Sequence, residues 1–246
     1  LGKAVTEALD SAIAGANPAQ RARFSSVNHT TKTYTPNPLC WANGWDLSGV
    51  PVWNSRSNSP ARRGIPVTRR HLVGVSHAGF YLRPGDTVRW RDRNGDIVER
   101  TVEYISHTHW GDVDHPRQQD NRNVDLWACY LDEELPETVQ VYPIAPTNFE
   151  NYVTLAGETL FSTLPDGTET YLAAAPCPFM VLDRFEQANI AEAAQWTSYQ
   201  ADEFLSDAGM IVRPPEDATR ASFYRALTAG DSDRKSTRLN SSHTHL

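Results

Sequence analysis

Thr87-Val88-Arg89-Trp90-Arg91, then Asn94-Gly95, then Ile97-Val98-Glu99-Arg100-Thr101-Val102-Glu103-Tyr104-Ile105 is the stretch that decides the fold. Both runs alternate apolar with polar residues, the period of an extended chain with one face against a core. Asn-Gly between them supplies residues that accept the positive φ of a tight hairpin turn. Working outward, Ile65-Pro66-Val67 and His71-Leu72-Val73-Gly74-Val75 read as strands before the hairpin. Val124 to Leu131 and Thr138 to Tyr142 read as strands after it, across a polar loop from Ser106 to Arg122. Further strands are expected at Tyr152 to Leu155, Glu169 to Ala174 and Phe179 to Leu182. Phe185 to Trp196 reads either as helix or as a hairpin turning at Gln187-Ala188-Asn189.

The one helix expected early in the chain runs within Gly2 to Gly15. Val5, Ala8, Leu9 and Ile13 fall at helical spacing there, and Asn17-Pro18 ends it. Residues 19–60 are rich in Ser, Asn, Thr, Pro and Arg and are punctuated by Trp41, Trp45 and Trp53. They read as a loop-rich lead-in that docks on the rest. Many short strands with turn signals and little other helix predict an all-β barrel or sandwich.

Composition narrows the function. An apolar fraction of 39% and an aromatic fraction of 10% suffice for a core, and no apolar run approaches a membrane span. The formal charge of −7 comes with no basic stripe, which argues against nucleic acid as a partner. Cys40, Cys129 and Cys177 are odd in number and lack metal-type spacing, so one disulfide and buried free thiols both fit.

Chemistry gathers at three places. Ala229-Gly230-Asp231-Ser232 follows the strand-like Phe223 to Leu227. His77 lies just beyond an apolar strand, in Val75-Ser76-His77-Ala78, and Asp125 opens Asp125-Leu126-Trp127-Ala128-Cys129. An acidic residue heading a buried-looking strand calls for a partner. In the order His, Asp, Ser, these segments resemble those of the trypsin-like serine peptidases over roughly residues 60–232.

The resemblance implies a double β-barrel of the chymotrypsin type. Residues 1–59 would be helix and lead-in, 60–145 a first barrel carrying His and Asp, and 146–232 a partial second barrel carrying Ser. It further implies Ser232 as nucleophile, His77 as general base and then acid, and Asp125 as the carboxylate that orients the imidazole. The amides of Gly230 and Ser232 would form the oxyanion hole, and Asp231 would pair internally to shape the loop. The substrate would be a protein or peptide, no cofactor is called for, and the family is commonly exported to the periplasm or beyond.

Two other readings stay open. Ser106-His107-Thr108-His109-Trp110-Gly111-Asp112-Val113-Asp114-His115 offers imidazoles and carboxylates to a zinc or calcium ion. Its spacing departs from the His-x-His-x-Asp-His pattern. The chain could also be a non-catalytic β-module, or a peptidase-fold protein that has lost activity.

Residues 233–246 read as foreign. Asp233 to His243 match, residue for residue, the in-frame translation of a sequencing adapter, with Thr244, His245 and Leu246 as index bases. Without them the chain holds 20 basic and 29 acidic residues, a formal charge of −9. The chain opens on Leu1 instead of Met, so both natural ends are expected to be missing. A chain cut at Ser232 would lack the strands that line a specificity pocket and is expected to be inactive.

Overall fold

The computed structural model describes residues 2–56, 64–75, 82–107, 126–144, 159–163, 169–173, 178–183, 185–197, 209–225 and 244–245. The chain is mostly β, with a short N-terminal helix, as its alternation predicts. Helix α1 (Gly2–Ile13) is followed by the hairpin β1 (Phe24–Asn28) and β2 (Thr33–Pro36). Next come β3 (Trp53–Asn54), β4 (Ile65–Pro66), β5 (His71–Val75), β6 (Thr87–Arg91), β7 (Ile97–His107) and β8 (Leu126–Leu131). These six strands form one antiparallel sheet in the order β3-β6-β7-β8-β5-β4. Within it β6, β7 and β8 are successive neighbours and β5 lies beside β8, a Greek-key arrangement with the odd strand first.

The second sheet takes β9 (Thr159–Thr163), β10 (Glu169–Ala173), β11 (Pro178–Leu182), β12 (Ala188–Thr197), β13 (Gly209–Arg213) and β14 (Thr244–His245). Its order is β14-β11-β12-β10-β9, with β13 paired to β12. Its two-residue edge strand β14 comes from the stretch that reads as adapter. A five-residue helix α2 (Ala218–Ser222) starts at Asp217, whose carboxylate accepts the amide of Arg220 at 2.9 Å.

The Asn94-Gly95 hairpin forms as expected. Thr87 pairs with Thr101 and Arg91 with Ile97, and Gly95 takes φ +93°. Inside this sheet Leu72, Val88, Trp90, Val102, Trp127, Cys129 and Leu131 make one buried cluster. A second cluster joins the lead-in to the second sheet. Leu9 and Ile13 of α1, then Cys40, Trp41, Ala42, Leu47 and Val50, pack with Ile65, Met180, Leu182, Ala188, Ile190 and Phe223. Each large side chain buried this way contributes roughly 1.5–3 kcal/mol. The lead-in is therefore core material. Trp41 is 6% exposed, and its indole N–H donates to the Ala188 carbonyl at 2.8 Å. Trp90 in turn donates to Gly49 at 3.1 Å, so the lead-in touches both sheets.

Three expectations are corrected. Thr138 to Tyr142 is a turn and an irregular segment. Pro136 opens the turn (Val139 N–H to Pro136 O, 3.0 Å). The Gln140 and Tyr142 amides then bond singly to Ser48 Oγ and the Pro66 carbonyl, so no ladder forms. The ambiguous stretch after Leu182 is a hairpin, but it turns earlier, over Asp183 to Gln187. The Asp183 carboxylate accepts the Phe185 and Gln187 amides at 2.7 and 3.1 Å, and Glu186 takes φ +60°. Phe223 to Arg225 is not a strand, since Phe223 caps the C-terminus of α2; residues 226 and 227 lie outside the described residues. The β1–β2 hairpin was not expected. Its turn is set by Asn28, whose side-chain oxygen accepts the Thr31 amide, and by Lys32 at φ 56°.

Candidate active site

β5 and β8 are the strands from which the expected base and its carboxylate would leave. They pair antiparallel with His71 opposite Tyr130, Val73 opposite Ala128, Gly74 opposite Trp127 and Val75 opposite Leu126. That last pair ends the described ladder. In the sequence His77 is two residues beyond Val75, and Asp125 is one before Leu126. β7 lies on the other side of β8, with His107 opposite Trp127.

Packing near this end depends on Trp127, which is 2% exposed. A Cβ on Gly74 would stand 2.4 Å from its Cζ2, and one on Gly64 would stand 2.4 Å from its Cη2. The two glycines thus make room for the indole. Gly74→Ala is expected to displace the ring and destabilise the protein by about 1–3 kcal/mol, read from urea denaturation. An unchanged midpoint would show that the ring has room to move.

His77, Asp125, Gly230, Asp231 and Ser232 lie outside the described residues, as do His109, Asp112, Asp114 and His115. His107 closes β7, and only its backbone is described. Among the described residues no group of three or more His, Cys, Asp or Glu is placed to hold a metal. Nor is any helix there long and apolar enough to cross a membrane.

Cys40 and Cys129 are free, buried thiols. Burial pushes the Cys129 thiol up to about 12 and raises that of Cys40 as well. Both stay protonated near neutral pH, so neither is a thiolate nucleophile.

The chain approaching Ser232 is pinned at two points. Phe223 is 1% exposed and sits edge-on to Trp41, with ring centroids 6.2 Å apart; its carbonyl accepts the Ile190 amide. Arg225 sends Nε and Nη2 to one oxygen of Asp183, each at 2.9 Å. Asp183 also accepts from Asn189 Nδ2 at 3.1 Å and from the two turn amides. Seven residues after Arg225 comes Ser232. The sequence reading missed this anchor. Its one available signal was an acidic residue closing the apolar run Phe179 to Leu182, a position that demands donors.

Arg23 was missed as well. Its guanidinium is buried against the Leu47 and Val50 carbonyls and Glu186, and desolvation lowers it to about 10. Beside it a cavity of about 290 Å³ is lined by Trp45, Asp46, Leu47, Gln140, Tyr142 and Met180. Burial raises the Tyr142 hydroxyl well above the usual phenol range, and that hydroxyl donates to the Asp46 carbonyl at 3.2 Å.

No family model matches the chain, and no curated protein does. Among solved structures, human heparin binding protein is similar at a TM-score of 0.31 and 15% identity, over 62% of this chain and 71% of that one. A mutant of the same human protein gives a TM-score of 0.36 and 14% identity, over 68% of this chain and 76% of that one. Both likenesses fall below a TM-score of 0.5, so what the chain does rests on its own residues.

Proposed function

We propose that the chain is a trypsin-like serine endopeptidase built as a double β-barrel, with His77, Asp125 and Ser232 as its triad. One observation supports this most: the β5–β8 register, which ends on Val75 opposite Leu126. In the sequence His77 follows Val75 by two residues and Asp125 precedes Leu126 by one, so the chain reaches both from the same end of that strand pair. Two residues far apart in sequence leave one end of one strand pair. A base and the carboxylate that orients it need that proximity.

In this reading Ser232 Oγ attacks the scissile carbonyl while His77 takes its proton. Asp125 holds the imidazole in the required tautomer and stabilises its charged form. The amides of Gly230 and Ser232 receive the oxyanion. Collapse expels the amine with the proton from His77, and water then hydrolyses the acyl-enzyme. Export from the cytosol belongs to the same proposal, by resemblance to the family.

The test is a fluorophosphonate probe on the protein expressed from the natural gene. We expect phosphonylation of Ser232 in the parent and none in Ser232→Ala. Labelling that persists in the variant, or a parent that never labels, overturns the assignment. The second outcome would favour the non-catalytic module.

A further inference from the structure

The tip of the β1–β2 hairpin carries a motif that neither the fold nor the proposed triad uses. Asn28-His29-Thr30 is an Asn-X-Thr triplet without proline at its centre, the acceptor pattern for an N-linked oligosaccharide. Before the stretch that reads as adapter, no other asparagine of the chain is followed two residues later by Ser or Thr.

A bulky, hydrated oligosaccharide needs an asparagine at the surface, and the backbone puts this one there. Asn28 ends β1 and pairs with Thr33, and His29 to Lys32 make the turn between them. From Ser25 to Asn28 every residue of β1 is exposed, so both faces of the strand are open at this end. Thr30 is exposed as well.

The hydrogen bonds leave the reacting atom free. Asn28 Oδ1 accepts the Thr31 amide at 2.9 Å, which sets the turn. Among the described residues, neither Asn28 Nδ2 nor the Thr30 hydroxyl meets a partner. The hydroxyls of Thr31 and Thr33 lie 3.0 Å apart and bond to each other, so the threonine of the triplet is the one whose hydroxyl the turn does not use. A side-chain amide joined to a sugar through nitrogen keeps its carbonyl oxygen and one N–H. Attachment at Nδ2 would therefore preserve the bond to Thr31 and displace no buried contact.

We propose that Asn28 is the acceptor of an N-linked oligosaccharide. The donor is an oligosaccharide carried on a lipid pyrophosphate, and the catalyst is an oligosaccharyl transferase at the export membrane. Nδ2 attacks C1 of the first sugar, and the bond from C1 to the pyrophosphate oxygen breaks. The lipid pyrophosphate leaves with that electron pair, and Nδ2 gives up one proton to a base of the transferase. Nothing is oxidised or reduced. The proposal rests on the export part of the proposed function and is independent of the triad.

The experiment expresses the natural gene in human cells behind a cleavable secretion signal, which supplies export from outside. Trypsin cuts after Arg23 and Lys32 and so isolates Phe24 to Lys32, with Asn28 its only asparagine. Taken from cells and from medium, that peptide should carry N-acetylhexosamine and hexose in most molecules. Peptide N-glycosidase in heavy-oxygen water should convert Asn28 to a labelled aspartate. Thr30→Val leaves Asn28 and its turn bond in place but removes the hydroxyl of the acceptor pattern, and should cut occupancy about tenfold or more. Thr30→Ser should keep it, and Asn28→Gln should abolish it. A parent peptide that is bare in both fractions overturns the proposal. So does Thr30→Val occupancy equal to the parent's. Fluorophosphonate labelling of Ser232 is read on the same samples, so a failed acceptor and a failed triad are told apart.

Discussion

In protein expressed from the natural gene, the proposed triad predicts that His77→Ala lowers kcat for peptide hydrolysis by about four orders of magnitude or more, and Asp125→Asn by about four. The two variants fail differently. In the proposed triad, nothing accepts the Ser232 proton once His77 is gone. With Asn at position 125 the base remains, but the imidazole favours the wrong tautomer and its charged form loses a partner. KM should stay within a few-fold in both, because neither residue contributes uniform binding. Triad members act as a unit, so His77→Ala combined with Ser232→Ala should be no worse than Ser232→Ala alone. Steady-state kinetics with a peptide substrate checks this, with active-site titration to count competent sites. A His77→Ala enzyme that retains a tenth of parental kcat would remove His77 from the reaction. Multiplying losses in the double variant would mean that the residues do not act together.

What could be read from the sequence divides along the range of the interactions involved. The β6–β7 hairpin was legible because its turn, its alternation and its pairing all lie between Thr87 and His107. Helix α1 was legible from Leu9 and Ile13, which bury, although Ala8 of the same expected stripe is exposed. Thr138 to Tyr142 misled because alternation records a preference for extended chain and cannot report a missing ladder partner. Gln140 instead meets Ser48, and Tyr142 meets Pro66, both distant in sequence. The lead-in shows the same limit. Its polar composition announced loops, yet Trp41 sits in the core because Phe223 and Ala188 are brought to it from the other end of the chain. For the site, motif and order located the ends of β5 and β8. Their adjacency is a product of the Greek-key order, which no local pattern encodes.

Asp183→Ala is expected to be the most damaging single change outside the proposed triad, at about 3 kcal/mol or more in urea denaturation followed by tryptophan fluorescence. The Asp183 side chain is fully buried, and its carboxylate gathers the Phe185 and Gln187 amides, the Asn189 amide group and both donors of Arg225. Removing it takes this acceptor from all of these at once, and a buried donor that loses an acceptor gives up part of its desolvation energy. The turn amides matter most, since they hold the register from which β12 starts at Ala188. Arg225→Ala should cost less. Arg225 is 24% exposed, so water can replace part of what it loses, and Asp183 would still accept from Phe185, Gln187 and Asn189. Because the carboxylate is shielded, the Asp183→Ala loss should be nearly the same at low and at high salt, unlike that of an exposed pair. A loss below about 0.5 kcal/mol, the range of ordinary surface substitutions, would show that the turn folds without its central acceptor. The double variant would apportion the rest. If Arg225 acts only through Asp183, its removal from the Asp183→Ala background changes little, because the guanidinium no longer has a buried carboxylate to neutralise.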